Sequence, residues 1–271
     1  MTEKQIDRVT AALIRLTAVL LMILAVLGIV LLCMRGCSGC GGDKPGSTDT
    51  ESAHESGSGP SSESSVVLPE TPDAGLAYQD KLMFLGDSLT AHLVRSGKLT
   101  DGKNTKQVLR TENNMLNLNA DVTNQKVAIP GTGTYVKIAD ACGQLKPQLL
   151  IITLGTDWGV SYLSEGDFKT CYSKLIQAIR EASPTTTIVL QSIFPVTAEC
   201  KNLSNSKIDV CNGWVKDIAA QNGCRYLDTQ SVLKDSRGNL KSSLCGSTDG
   251  IHLTDDAYSV ILQYIRTHAV G

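Results

Sequence analysis

The sequence predicts an α/β domain of three layers, a mostly parallel sheet flanked by helices, carried behind one apolar span and a polar linker. Three observations predict it. Residues 149–154, LLIITL, form an unbroken apolar run, which is how a strand covered on both faces reads. Elsewhere apolar residues recur at three and four, the helical period. From residue 78 onward these two kinds of segment alternate, as in the βαβ units that build parallel sheets.

The chain has 271 residues, and its N-terminal part reads differently. Residues 1–15 form a short leader with Lys4, Arg8 and Arg15, too small to fold. Residues 16–34 carry no charge and are fenced by Arg15 and Arg35. As a helix this run is about 28 Å long, close to the hydrocarbon thickness of a bilayer. It lacks the polar face of a core helix. It is long for a cleaved signal, and no Ala-x-Ala-like site follows it. A lipoprotein signal fits poorly, because Leu32 precedes Cys33 and Arg35 separates Cys40 from the apolar run. An uncleaved single-pass transmembrane helix is expected. Three basic residues precede it, and Arg35 and Lys44 follow. That bias puts the N-terminus in the cytoplasm and the rest outside.

Residues 35–77 are rich in Ser, Gly, Pro and acidic residues, with almost no large apolar residue before Val66. Such a composition buries too little surface to offset chain entropy, so a flexible, disordered linker is expected. The domain is then 78–271. Net charge is −2, which argues against a nucleic-acid partner.

Nine cysteines are present. Cys33, Cys37 and Cys40 have the spacing of iron–sulfur radical enzymes. Cys33, however, lies in the apolar span, and no barrel-sized domain follows. The six in the domain show no paired C-x2-C spacing, so no metal site and no cofactor are expected. Cys171 and Cys211 fall on apolar helix faces. An outside location permits disulfides, and Cys200 with Cys211 is the first pairing to consider.

Within the domain, 81–85 reads as a buried strand and a helix begins at Ser88 or Leu89. Residues 96–123 are polar and irregular, suited to a lid or wall. Val127, Ile129, Tyr135 and Val136 flank Pro130-Gly131-Thr132-Gly133 like hairpin strands around a turn. Phe168, Cys171, Tyr172, Leu175, Ile176 and Ile179 mark a helix, with Ser164 and Asp167 available to cap it. A strand is expected at 187–194, a helix on Ile208, Cys211, Val215, Ile218 and Ala219, and a short strand at 225–227. Thr254, Asp255 and Asp256 open a final helix that turns Val260, Ile261, Tyr264 and Ile265 inward. Parallel sheets bind ligands beyond the C-terminal strand ends. Ser88 and Gly155 each follow such an end, so they should share one rim.

That rim carries Gly86-Asp87-Ser88-Leu89 and Gly155-Thr156-Asp157, and Asp249-Gly250-Ile251-His252 precedes the last helix. A serine hydroxyl is a weak nucleophile until a base takes its proton and a third group holds that base. These segments supply all three groups, and they resemble the GDSL, or SGNH, hydrolases over the whole globular part. The resemblance implies a flavodoxin-like three-layer fold and a serine esterase needing no cofactor. Ser88 would be nucleophile, His252 general base and Asp249 its orienting partner. Ser88 also suits a helix N-cap and Asp249 a turn. Asp87 would hold the nucleophile loop. His92 and His268 read as ordinary helix residues.

The resemblance also implies oxyanion donors: the Ser88 N–H, a glycine N–H, here Gly131, and an asparagine amide in the segment that begins at Gly155. Gly131 competes with the hairpin-turn reading above. The asparagine is absent: the family's Gly-x-Asn-Asp stands here as Gly155-Thr156-Asp157-Trp158. An ionised carboxylate offers acceptors only, and loss of one such donor costs about 10²–10³ in rate. The expectation is a membrane-tethered, extracellular esterase acting through acyl-Ser88. O-acyl groups on cell-wall or extracellular glycans are favoured over lipids as substrate. The alternative is a weakly active or non-catalytic binding module on the same fold.

Overall fold

A computed structural model of the chain describes residues 66–271. The expected transmembrane helix, Cys33, Cys37, Cys40 and most of the linker lie outside the described residues. No helix among the described residues is long and apolar enough to cross a membrane.

In chain order the elements are α1 (Gly75–Gln79), β1 (Leu82–Gly86), α2 (Ser88–Ser96), β2 (Val108–Leu109), β3 (Lys126–Ala128), β4 (Tyr135–Lys137), α3 (Ile138–Leu145), β5 (Leu149–Thr153), α4 (Gly159–Tyr162), α5 (Glu165–Ala182), β6 (Thr187–Gln191), α6 (Asn205–Gln221), β7 (Arg225–Leu227), α7 (Gln230–Leu233) and α8 (Asp255–Arg266). The main sheet has the order β2-β1-β5-β6-β7, and every neighbouring pair in it is parallel. This is the flavodoxin-like order of a doubly wound sheet, and its direction reverses between β1 and β5. β3 and β4 form a separate antiparallel hairpin, in register Val127 with Val136.

The strands divide their side chains between two cores, as the two-residue period requires. Leu85, Leu150, Ile152, Ile188 and Leu190 point into one, shared with α3, α5 and α6. Phe84, Leu149, Ile151, Val189 and Leu227 point into the other, shared with α2 and α8. Residues 149–153 are all buried because both faces are covered. The helix starts are capped as their sequences ask. Ser164 accepts from the Asp167 N–H at the start of α5, Ser204 from Lys207 at α6, and Thr254 from Ala257 at α8.

Three expectations change. Residues 66–77, assigned to the linker on composition, are docked. Val67 pairs in parallel with Tyr226, Leu68 is buried, and the Thr71 and Ala74 N–H groups donate to Thr267 and Arg266 carbonyls. The polar stretch 96–123 contains β2, a strand of the main sheet, alongside irregular wall. The six domain cysteines are free thiols, so Cys200 and Cys211 are not bonded to each other. Burial drives the Cys142 thiol up to about 12 and the Cys211 thiol up to about 11, so both behave as small apolar fillers.

Candidate active site

The site is assembled at the C-terminal ends of β1 and β5, the point where the strand order reverses. β1 ends at Gly86, which approaches β5 so closely that a Cβ there would lie 2.1 Å from the Thr153 carbonyl oxygen. The chain then passes through Asp87 into α2, whose first residue is Ser88. A helix start leaves N–H groups without intrahelical partners, and the Ser88 N–H is one of them.

Asp87 is completely buried. Its Oδ2 accepts from the Gly155 and Thr156 N–H groups at 3.2 and 2.9 Å, which ties the turn after β1 to the loop after β5. Its Oδ1 has no hydrogen-bond partner among the described residues. Burial first, and the charge of Asp157 second, push the Asp87 carboxyl up to about 7, against the pull of the Thr156 and Gly155 N–H groups. Both effects drive Asp87 towards its neutral form.

Asp157 stands opposite Ser88 and engages it twice. Its Oδ2 accepts from the Ser88 N–H at 3.1 Å, and its Oδ1 accepts from the Ser88 Oγ–H at 3.0 Å. The carboxylate thus engages both the backbone N–H and the hydroxyl proton of Ser88.

His252 and Asp249 form the second half. The Asp249-Gly250-Ile251-His252 turn closes on itself: Asp249 Oδ1 accepts from the Ile251 N–H at 2.7 Å, the His252 N–H at 3.1 Å and the Ser247 hydroxyl. Its Oδ2 lies 2.5 Å from His252 Nδ1. Partial burial pushes the Asp249 carboxyl up, but the bonds from Ser247, Ile251 and His252 outweigh it and hold Asp249 well below the usual range. An ionised carboxylate only accepts, so Nδ1 carries the proton and Nε2 is left as the basic nitrogen. Gly250 has φ +77°, and a Cβ there would meet Thr197 Oγ1 at 2.6 Å, so the turn is wedged against the loop after β6. The Thr197 N–H donates to the Gly250 carbonyl at 2.9 Å. The Tyr258 hydroxyl, on α8, donates to the Leu89 carbonyl at 2.7 Å and fixes α8 against the first turn of α2.

His92 belongs to this site. It lies one turn after Ser88 on α2, and its ring centroid is 4.8 Å from that of His252, tilted by 36°. Burial, and then the neighbouring His252 and Arg95 charges, lower its pKa, while Asp157 and Asp249 act in the opposite sense. The reading of His92 as an ordinary helix residue is therefore corrected. Its signal was present in Ser88-x-x-x-His92, a spacing that puts both residues on one helix face.

The structure brings Asp249 to His252, and Asp157 to Ser88, with Gly155 joined to Ser88 through Asp87. Gly131 is at the exposed tip of the β3–β4 hairpin, where the Lys106 side chain lies against it. The turn reading describes it, because Val127 and Val136 do pair across the hairpin.

The model of the GDSL-like lipase/acylhydrolase family matches residues 84–260. The chain belongs to this family. The match spans both the β1–α2 turn and the Asp249–His252 turn, the two parts joined above. No match is found among curated proteins. Among solved structures, this GDSL-like acylhydrolase resembles a GDSL-like lipase from Bacteroides thetaiotaomicron, at 16% identity and TM-score 0.47, over 71% of this chain and 89% of that one. It also resembles a carbohydrate esterase family 3 structure from Talaromyces cellulolyticus, at 18% identity and TM-score 0.42, over 68% and 93%.

Proposed function

We propose that the chain is an extracytoplasmic, membrane-tethered serine esterase that hydrolyses carboxylic esters through an acyl-Ser88 intermediate. The observation that carries this reading is the His252–Asp249 pair, with its tautomer fixed, joined to the helix that begins at Ser88. Ser88 Oγ attacks the ester carbonyl carbon while His252 Nε2 takes its proton and Asp249 stabilises the imidazolium. The same proton passes to the departing alcohol oxygen. Water then attacks acyl-Ser88, its proton goes to Nε2, and the carboxylic acid leaves as Oγ is reprotonated.

Before attack, Ser88 Oγ must leave Asp157 Oδ1 for His252 Nε2, a change of side-chain rotamer on the ps–ns scale. The Asp157 carboxylate must also vacate the Ser88 N–H for that group to serve the oxyanion. This displacement lowers the affinity for any ligand that requires it, so slow turnover of simple esters is expected. The same double contact favours the second reading, a weakly active or non-catalytic binding module.

O-acyl groups on glycans are the favoured substrate. Trp158 follows Asp157 directly and Tyr162 lies one helical turn further on; both are exposed, and their ring centroids are 4.6 Å apart. Such an aromatic surface beside the nucleophile offers an apolar face to a sugar ring. Residues 16–34 and the basic residues before them support the tethered, outward-facing location.

A fluorophosphonate probe tests the reading. Labelling at Ser88 that disappears in Ser88→Ala supports the esterase. A folded chain that neither labels nor turns over p-nitrophenyl acetate supports the binding module instead.

A further inference from the structure

We infer that a basic cleft along the β2 edge, reaching the strand end next to Ser88, binds the anionic groups of the substrate, so that the acyl ester is carried on a polyanionic glycan or polyol. That the bound molecule is a substrate rests on the esterase reading above; the binding itself does not.

The cleft has a volume of about 490 Å³, and its lining includes Lys103, Lys106, Arg110, Gly131 and Tyr135. None of its lining residues is acidic. Among the described residues, none of these three cations takes part in an ion pair. The neighbouring hairpin adds to the imbalance. Lys126 and Lys137, both exposed, stand directly opposite each other across β3 and β4. Like charges so placed repel, and a bound anion relieves that repulsion. Residues 103–137 hold five cations against Glu112 and Asp121, in a chain whose net charge is −2. The positive charge is therefore local.

Its position is set by the sheet. Leu109 of β2 is level with Leu85 of β1, so Arg110 is level with Gly86. The Arg110 carbonyl accepts from the Ala128 N–H at 2.8 Å, which joins the hairpin to the same strand end. With strands about 4.8 Å apart, and Ser88 two residues beyond Gly86, the Arg110 and Ser88 backbones lie roughly 10 Å apart. A polymer bound through its charged groups in the cleft can thus present an ester to Ser88. Arginine and lysine together suit either carboxylate or phosphodiester oxygens.

The test is binding to the purified full chain, read by fluorescence polarisation of labelled oligomers without turnover. Oligogalacturonate supplies carboxylates, poly(glycerol phosphate) supplies phosphodiesters, and a neutral galactose oligomer is the control. At least one anionic oligomer should bind tenfold or more tightly than the control, and should weaken steeply from 50 to 200 mM NaCl. Which anionic oligomer binds identifies the charged group. Lys103→Gln with Lys106→Gln and Arg110→Gln should abolish the preference. Lys103→Arg with Lys106→Arg should keep it, which separates lost charge from lost fold. Equal affinity for the neutral oligomer, or a preference untouched by the triple substitution, overturns the proposal. Failure of fluorophosphonate labelling leaves this result standing and removes only the esterase reading.

Discussion

Residue by residue, the decisive feature is that one carboxylate does two jobs at Ser88. Asp157 accepts both the Ser88 N–H and the Ser88 Oγ–H, so in the proposed reaction it would compete with an oxyanion and with His252 at once. An asparagine there keeps the size and offers an N–H2 donor in place of a repelling charge. Asp157→Asn should therefore raise kcat on p-nitrophenyl acetate by about tenfold or more, where a fully engaged oxyanion donor commands about 10²–10³. An unchanged or lower kcat would show that Asp157 assists the reaction. His92 makes a second, independent prediction. Its ring lies tilted against that of His252, and its pKa is lowered by burial and by the His252 and Arg95 charges, so it favours the neutral form. A carboxylate in its place favours the imidazolium of His252, and the acid limb of kcat/KM should move to higher pH in His92→Glu. His92→Gln, with no charge, should move it less. Identical profiles for the two variants would mean that His92 only packs.

Among the elements, the turn from β1 into α2 stores a pH dependence. Asp87 is held at about 7 by burial and by the Asp157 charge; an unfolded aspartate titrates near 3.9. Between those values the folded state binds a proton that the unfolded state does not, so stability falls as pH rises from about 4 to about 7. Asp87→Asn preserves an acceptor for the Gly155 and Thr156 N–H groups and removes the titration. Thermal melts from pH 5 to 8 should show Tm falling by several degrees more in the native chain than in the variant. Parallel curves would refute the buried neutral carboxyl. These elements were legible in the sequence in proportion to how much side-chain burial they carry. β5 and α5 declare themselves because the first is an unbroken apolar run and the second repeats its apolar positions at three and four. β2 does not, because two residues establish no period and its place in the sheet rests on backbone bonds to β1. The Ser88, Asp249 and His252 motifs were visible as residue types at telling positions. The capture of Ser88 by Asp157 was not, since the sequence shows which groups meet at a rim but not which proton each accepts.

At the scale of the whole molecule, the domain begins earlier in the chain than composition suggests. Residues 66–77 carry too few apolar side chains to announce themselves, yet they close the β7 edge and lie along the end of α8. Val67 pairs with Tyr226, and the Leu68 N–H donates to the Tyr226 carbonyl at 2.8 Å. Asp73 accepts from Arg266 Nε at 3.0 Å, and Arg266 Nη1 also reaches Gln79 at 3.0 Å. Covering an edge strand in this way removes a site for unwanted pairing. Burial of Leu68 alone is worth about 1.5–3 kcal/mol, which for a domain of this size corresponds to several degrees in Tm. The surface ion pair adds little, about 1 kcal/mol or less. A chain beginning at residue 66 should therefore fold, remain in solution without detergent and keep its ester turnover. One beginning at residue 78 should melt at least about 5 °C lower and aggregate through the uncovered β7 edge. Calorimetry and size-exclusion chromatography of the two chains distinguish these outcomes. Equal Tm values would mean that the domain ends where the composition changes, and that the 66–77 contacts contribute nothing to its stability.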